Sequence, residues 1–241
     1  LRDVYKRQDP AAYARGELVE PVTPIIYYLD PGIPAPYREA FRAGGNWWSK
    51  VFEGAGFKDA FRVLDLPAGA DPMDARYNML MWVHRTGPGP SVGPSYSDPR
   101  TGEIIRAVVR MDAWRSLVDY NIWAGTVPAF GSAGPNVSAE AFAMARRRQH
   151  TAHEIGHTLG LSHNYIASAQ NRSSVMDYPF PLILVTDKGT LDLRRAYREG
   201  PGAWDSLAIN LGYHWYADSA AEAAGLAAIM KDGLTRNVRI I

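Results

Sequence analysis

The chain contains no cysteine. That absence removes disulfide frameworks, thiolate nucleophiles and cysteine-based zinc sites, and it leaves the redox compartment open. A charge excess is also missing: 26 Lys and Arg stand against 25 Asp and Glu, a formal net charge of +1. General nucleic-acid binders usually carry a basic excess, so nucleic acid is not an expected partner. Nothing suggests a polybasic membrane anchor. No apolar run approaches the roughly 18 residues of a membrane span. Residue 1 is Leu rather than Met, and residues 1–8 (LRDVYKRQ) lack the apolar core of a signal peptide. The other end stops at Val238-Arg239-Ile240-Ile241, a strand-like run with no obvious close. We read the chain as an internal piece of a longer polypeptide with additional domains.

What is present is ordinary in bulk. The 241 residues are 46% apolar and 21% charged, enough for a sizeable core in one large domain or two small ones. Residues 24–30 (PIIYYLD), 61–66 (FRVLDL) and 77–84 (YNMLMWVH) read as short buried strands. Residues 37–54 have Phe41, Trp48, Val51 and Phe52 at helical spacing and stop at Gly54 and Gly56. Residues 86–102 are rich in Gly, Pro and Ser and read as a loop. Residues 103–111 (EIIRAVVRM) alternate, with Ile105, Ala107, Val109 and Met111 on one face, as expected of an edge strand. Residues 125–136 read as another loop, and Ser138 or Asn136 can cap a helix over 139–159. Two further helices are expected over 204–213 and 220–231. This order predicts an α/β (α+β) fold with some parallel pairing.

The chemistry concentrates in one segment, His153-Glu154-Ile155-Gly156-His157-Thr158-Leu159-Gly160-Leu161-Ser162-His163. On a helix, His153 and His157 lie on one face, roughly 6 Å apart along the axis. Two imidazoles so placed can bind one zinc. Gly160 suits a left-handed helix stop, after which the chain can return His163 to the same metal. Three neutral imidazoles leave a fourth position open, the arrangement of a catalytic rather than a structural zinc site. Glu154 sits about 100° round the helix from His153, placed to act as a general base on a metal-activated water. By chance these five positions would recur in roughly one in 10⁵ chains of this length, so surface or core histidines are a poor alternative.

With Ser174-Val175-Met176-Asp177-Tyr178 downstream, this pattern resembles the metzincin clan of zinc endopeptidases, HExxHxxGxxH followed by a Met-turn. The resemblance is closest to the catalytic domain of large bacterial zinc-dependent metalloproteases related to a bacterial enterotoxin A subunit. It spans about residues 21–216 through PIIYYLDPGIP, FEGAGF, DPMDARYNMLMWVHR, SDPRTGEII, HEIGHTLGLSHN, SVMDY and AWDSLAINLGY.

The resemblance implies that His153, His157 and His163 ligate Zn2+, that Glu154 is the catalytic base, and that Met176 is the Met-turn residue. Tyr178, two residues after that Met, would stabilise the oxyanion, the alternative being a Tyr that merely packs there. The implied metzincin-type zincin fold has a twisted mixed sheet with an antiparallel edge strand, an active-site helix and a smaller, mostly helical C-terminal subdomain. That places an upper subdomain over 21–160, a lower one over 161–216, an upstream tail or start artefact at 1–20, and the start of a following region at 217–241. A protein or peptide substrate would lie extended along the edge strand, for which 103–111 is the candidate. A secreted or periplasmic setting follows from the resemblance alone.

The remaining candidates have blander readings. His150 is expected to be solvated or beside the site rather than a fourth ligand, which would close it. His84 and His214 lack ligand spacing. Arg146-Arg147-Arg148 reads as a charged helix start with at least one solvated Arg. Trp47-Trp48 reads as core. Asp98, Asp112 and Asp177 lack EF-hand spacing for calcium. Two rival functions stay open: a zinc-holding module that binds peptides without cutting them, and metal-assisted hydrolysis of a non-protein amide.

Overall fold

A computed structural model describes residues 9–239. Five strands form the main sheet: β1 (Ile25–Leu29), β2 (Phe61–Asp65), β3 (Asn78–Val83), β4 (Ser95–Ser97) and β5 (Ile104–Asp112). Their order is β2-β1-β3-β5-β4. The first four in that order run parallel, and β4 pairs antiparallel with β5. The sheet is therefore mixed, with an antiparallel edge.

That edge is not residues 103–111. β5 is an inner strand, bonded to β3 on one side and covered by residues 92–97 on the other. The covering stretch lies in the segment whose Gly, Pro and Ser content reads as a loop. Its backbone still pairs: Arg110 N–H donates to Val92 C=O at 2.8 Å and Val108 N–H to Pro94 C=O at 3.1 Å. Ala107, Val109 and Met111 are buried as their alternation predicts, but Ile105, at the strand's start, is exposed.

Two long helices, α2 (Ala35–Gly54) and α4 (Ala139–Thr158), pack against each other and the sheet. Both carry small residues where they meet. A Cβ at Gly44 would overlap the carbonyl oxygen of Arg148, and one at Gly45 would press on Val63 and Ile155. Trp48 is fully buried in this seam and donates its indole N–H to Ala152 C=O at 3.0 Å. Burying this large apolar body while satisfying its one donor suits a core position.

Between β5 and α4 in the chain lies α3 (Arg115–Thr126), followed by a 3-10 segment over Val127–Ala133. The sequence offered no sign of α3, and the 3-10 segment falls in a predicted loop. Leu117 and Val118 are exposed on α3 whereas Ser116 and Asp119 are buried, so its polarity pattern is inverted.

The chain then forms a 3-10 turn (Tyr165–Ala169), a short hairpin of β6 (Leu184–Val185) and β7 (Leu191–Asp192), and helices α5 (Ala203–Tyr213) and α6 (Ser219–Thr235). The hairpin and the 3-10 turn add little regular structure between residue 160 and α5. α6 packs on α5, and Val238 beyond it joins the main core. Of the segment read as an upstream tail, residues 1–8 lie outside the described residues. The rest is not a loose tail. Tyr13, on α1 (Pro10–Ala14), and Val19 are buried, and the Tyr13 hydroxyl donates to Ala55 C=O at 2.7 Å. Two apolar residues at this spacing are too few to mark a core segment from sequence. Among the described residues no helix is long and apolar enough to cross a membrane.

Candidate metal centre and cleft

Helix α4 begins where Ser138 accepts a hydrogen bond from Ala141 N–H at 3.1 Å, a side-chain cap that satisfies an otherwise free donor. It ends at Gly160, whose φ of +88° is left-handed. Gly160 N–H donates to His157 C=O, and Leu161 N–H reaches back to Gly156 C=O, both at 3.0 Å. These two bonds form a Schellman stop, which favours Gly at its left-handed position. The reversal brings His163 back beside the helix.

The ring nitrogens of His153, His157 and His163 converge, one from each residue lying within 4.8 Å of the others. His157 Nε2 is 3.1 Å from the Nε2 of both His153 and His163. Each outer nitrogen has its own partner. His153 Nδ1 meets Val175 C=O at 2.7 Å, His157 Nδ1 meets Leu161 C=O at 2.9 Å, and His163 Nδ1 meets the Tyr165 hydroxyl at 3.0 Å. A carbonyl only accepts, so Nδ1 of His153 and His157 must carry the proton. Their Nε2 lone pairs then face one another, which is repulsive unless a cation lies between them. The 3.1 Å separations are close to the roughly 3.3 Å edge expected for tetrahedral nitrogens at 2.0–2.1 Å from a metal. Burial pushes His153 down to about 3 and lowers His163 as well, so both rings are neutral donors at pH 7. The donor set fits a metal ion.

Beneath the cluster, Met176 is fully buried and its sulfur occupies the space a Cβ at Gly156 would need. The turn that presents it is fixed by Asp205 on α5. This buried carboxylate accepts from Ser174 Oγ at 2.6 Å, Val175 N–H at 2.9 Å and Gly202 N–H at 2.6 Å. Asp205 thus holds the backbone N–H of Val175, the residue whose carbonyl orients His153. Burial outweighs these bonds and pushes its carboxyl up to about 6.

Glu154 is buried against the same cleft, and burial raises its carboxyl to about 7. His150, one turn earlier, lies 3.0 Å from Glu154 Oε1 through Nε2. It is not part of the three-histidine cluster, and it is not solvated: burial holds it neutral, well below its ordinary value. Its i, i+4 spacing from Glu154 is the signal that could have paired them. Tyr178 is 57% exposed, and its ring centroid is 4.5 Å from that of His163 and 5.3 Å from that of His153. The sequence reading missed Tyr165, which fixes His163, and Asp205.

Other candidates fall elsewhere. His84 accepts from Trp82 Nε1 at 2.8 Å and His214 meets the Tyr13 hydroxyl at 2.9 Å. Asp98 pairs with Arg100, Asp112 with Arg85, and Asp177 accepts from Ser168 and from Tyr178 N–H. Arg146-Arg147-Arg148, read as a charged helix start with at least one solvated Arg, lies in the middle of α4, and the partly solvated one is Arg148. Arg146 and Arg147 are buried, and only Arg148 reaches an exposed partner, Glu199. Tertiary packing of α3 over α4 covers them.

A mixed sheet with an antiparallel edge, over a helix whose two imidazoles and glycine stop meet a third imidazole, defines a metal-binding domain of the metzincin type. Residues 135–239 match the Met-zincin family model, which supports a metzincin-type zinc metalloprotease domain. The match covers the whole of α4, the three-histidine cluster, the Met176 turn, α5 and α6. No curated protein and no solved structure matches the chain.

Proposed function

We propose that the chain is a zinc-dependent endopeptidase, with His153, His157 and His163 holding the ion and Glu154 acting as general base. The observation that carries this reading is the convergence of three imidazoles, each oriented by its own hydrogen bond, beside a buried carboxylate in one cleft. When bound, zinc supplies a Lewis acid that makes water a nucleophile near neutral pH and offsets negative charge on oxygen.

The protein's own groups do the rest. Glu154 takes the proton from the attacking water as it adds to the scissile carbonyl carbon. It then returns that proton to the leaving amine. His150 holds Glu154 Oε1 in place through its Nε2–H. The phenol of Tyr178, exposed beside His163, donates to the developing oxyanion. Met176 supports the helix from below at Gly156. The free edge of residues 92–97 binds an extended peptide by strand addition, holding many sequences through backbone groups alone.

The test is digestion of a proteome-derived peptide library. Internal cuts should appear, vanish with a chelator and return with added zinc. No cuts from folded, zinc-loaded protein would overturn the reading in favour of a peptide-binding module. Tyr178→Phe should lower kcat about 10²-fold with little change in KM, because only the charged state loses a hydrogen bond. An unchanged kcat would assign Tyr178 to packing alone.

A further inference from the structure

One pocket of the cleft, about 420 Å³, adjoins Glu154 and Tyr178. Arg146, Arg115 and Tyr197 line it, together with Pro90 and Phe180. Arg146, His150 and Glu154 are spaced four apart on α4, so the pocket runs along the helix stripe that ends at the proposed base.

The pocket is rich in unmatched donors. Arg146 is 6% exposed, and its Nε and Nη1 are buried without a hydrogen-bond partner among the described residues. Arg115 Nε and the Tyr197 hydroxyl are likewise buried and unpartnered. The Arg146 guanidinium lies 5.7 Å from the centre of the Tyr197 ring. Buried donors without partners are costly, and a buried cation more so. Desolvation pulls Arg146 down to about 10, which leaves it charged at pH 7.

Local anions do not balance this charge. Arg85 pairs with Asp112 and Arg115 with Asp119, at 3.2 Å and 3.1 Å. Arg147 donates to Ser116 Oγ and to the carbonyls of Asp112 and Ala113. That leaves four guanidinium groups to two aspartates, with Glu154 as the remaining carboxyl at the pocket. Arg146 has no ion pair of its own among the described residues.

The strand direction tells which part of a substrate reaches the pocket. Residues 89–91 line it, and 92–97 run away from it along β5. A peptide added antiparallel to this edge points its C-terminal half towards Gly89. We infer that the Arg146 pocket takes a carboxylate from the C-terminal side of the scissile bond. Arg146 is then the residue that determines specificity, with Arg115 and the Tyr197 hydroxyl as co-donors. The carboxylate is either a Glu or Asp side chain or the free end of the peptide.

The inference rests on the endopeptidase reading, and four quenched peptides separate the two. They share one sequence, found in the library digest or matched to it, and carry Glu or Gln just after the cut bond. The Gln peptide is also made in a short form ending there, as free acid and as amide. Wild type should favour Glu over Gln by roughly 30-fold in kcat/KM, the value of one charge-assisted hydrogen bond. Arg146→Gln should equalise them and Arg146→Lys should keep part of the preference. Arg115→Gln gives a second, partly exposed position should Arg146→Gln fail to fold. It should reduce the preference without abolishing it. Preference for the short acid over its amide would assign the pocket to a chain end instead of a side chain. Equal cleavage of all four overturns the inference and leaves the peptidase reading intact. If none is cut, the peptidase reading fails. Fluorescence anisotropy of labelled Glu and Gln peptides then decides the pocket: tighter binding of Glu supports it and equal binding overturns it.

Discussion

Replacing Glu154 by Gln should lower kcat on a cleavable peptide by about 10³- to 10⁴-fold, the upper range for loss of a positioned acid–base group. Gln keeps the side chain's shape and can still accept the hydrogen bond from His150 Nε2, 3.0 Å away. Zinc content, measured on the purified protein, should stay at the wild-type level because the three imidazoles keep their own partners at Val175, Leu161 and Tyr165. Loss of turnover together with retained metal is the expected signature. Substantial activity in E154Q would remove Glu154 from the role of base. Loss of zinc would mean that the carboxylate supports the metal rather than the proton transfer.

The second large effect is expected at Asp205, which no spacing rule in the sequence points to. Asp205→Ala leaves Ser174 Oγ–H, Val175 N–H and Gly202 N–H without their acceptor in a fully buried place. At about 1–3 kcal/mol per orphaned donor, three donors give a loss of roughly 3–9 kcal/mol of stability. The same change frees the backbone of Val175, whose carbonyl orients His153. Zinc affinity should therefore fall about 10- to 100-fold, the usual cost of losing an outer partner of a ligand. Denaturant titration and competitive zinc binding measure the two losses separately, and unchanged values of both would refute the role.

The pH dependence at this position has a definite sign. Burial raises the folded carboxyl of Asp205 to about 6, above its unfolded value. Between those values the folded state binds the extra proton, so stability falls as pH rises through about 6. Relative to Asp205→Asn, which cannot titrate, wild type should gain stability on going from pH 7 to pH 5. The slope is at most about 1.4 kcal/mol per pH unit. A difference that does not change with pH would contradict the shift.

The three-histidine cluster was the most legible part of the chain because it is local. His153, His157 and the Gly160 stop obey helix geometry, and the structure places His163 where the reversal predicts. The strands β1 to β3 and helices α2 and α4 were legible for the same reason, since each announces itself by its own periodicity. What could not be seen depends on partners far along the chain. Residues 92–97 look like a loop until β5 offers its unpaired groups. The burial of Arg146 and Arg147 requires α3, whose own exposed Leu117 and Val118 disguise it. Asp205 acts on Ser174 and Val175 across thirty residues of sequence, so no pattern within either segment connects them. Tyr165 sits only two residues from His163, and there the missing information was side-chain direction rather than distance.

Gly93 lies on the edge stretch where a Cβ would overlap the carbonyl oxygen of Glu154. Strand and helix meet there chiefly through backbone, with the Thr158 methyl beside them, so the height of the rim above the floor is set mainly by two main chains. A guest lying along that rim is presented to the floor at one fixed elevation, whatever its sequence. Substitution at neighbouring positions can recolour the walls, through Pro90 and Phe180, without altering this clearance. Inheritance of new tastes by such a domain would proceed through those walls, while the glycine acts as a shim of zero thickness that any larger residue would jam.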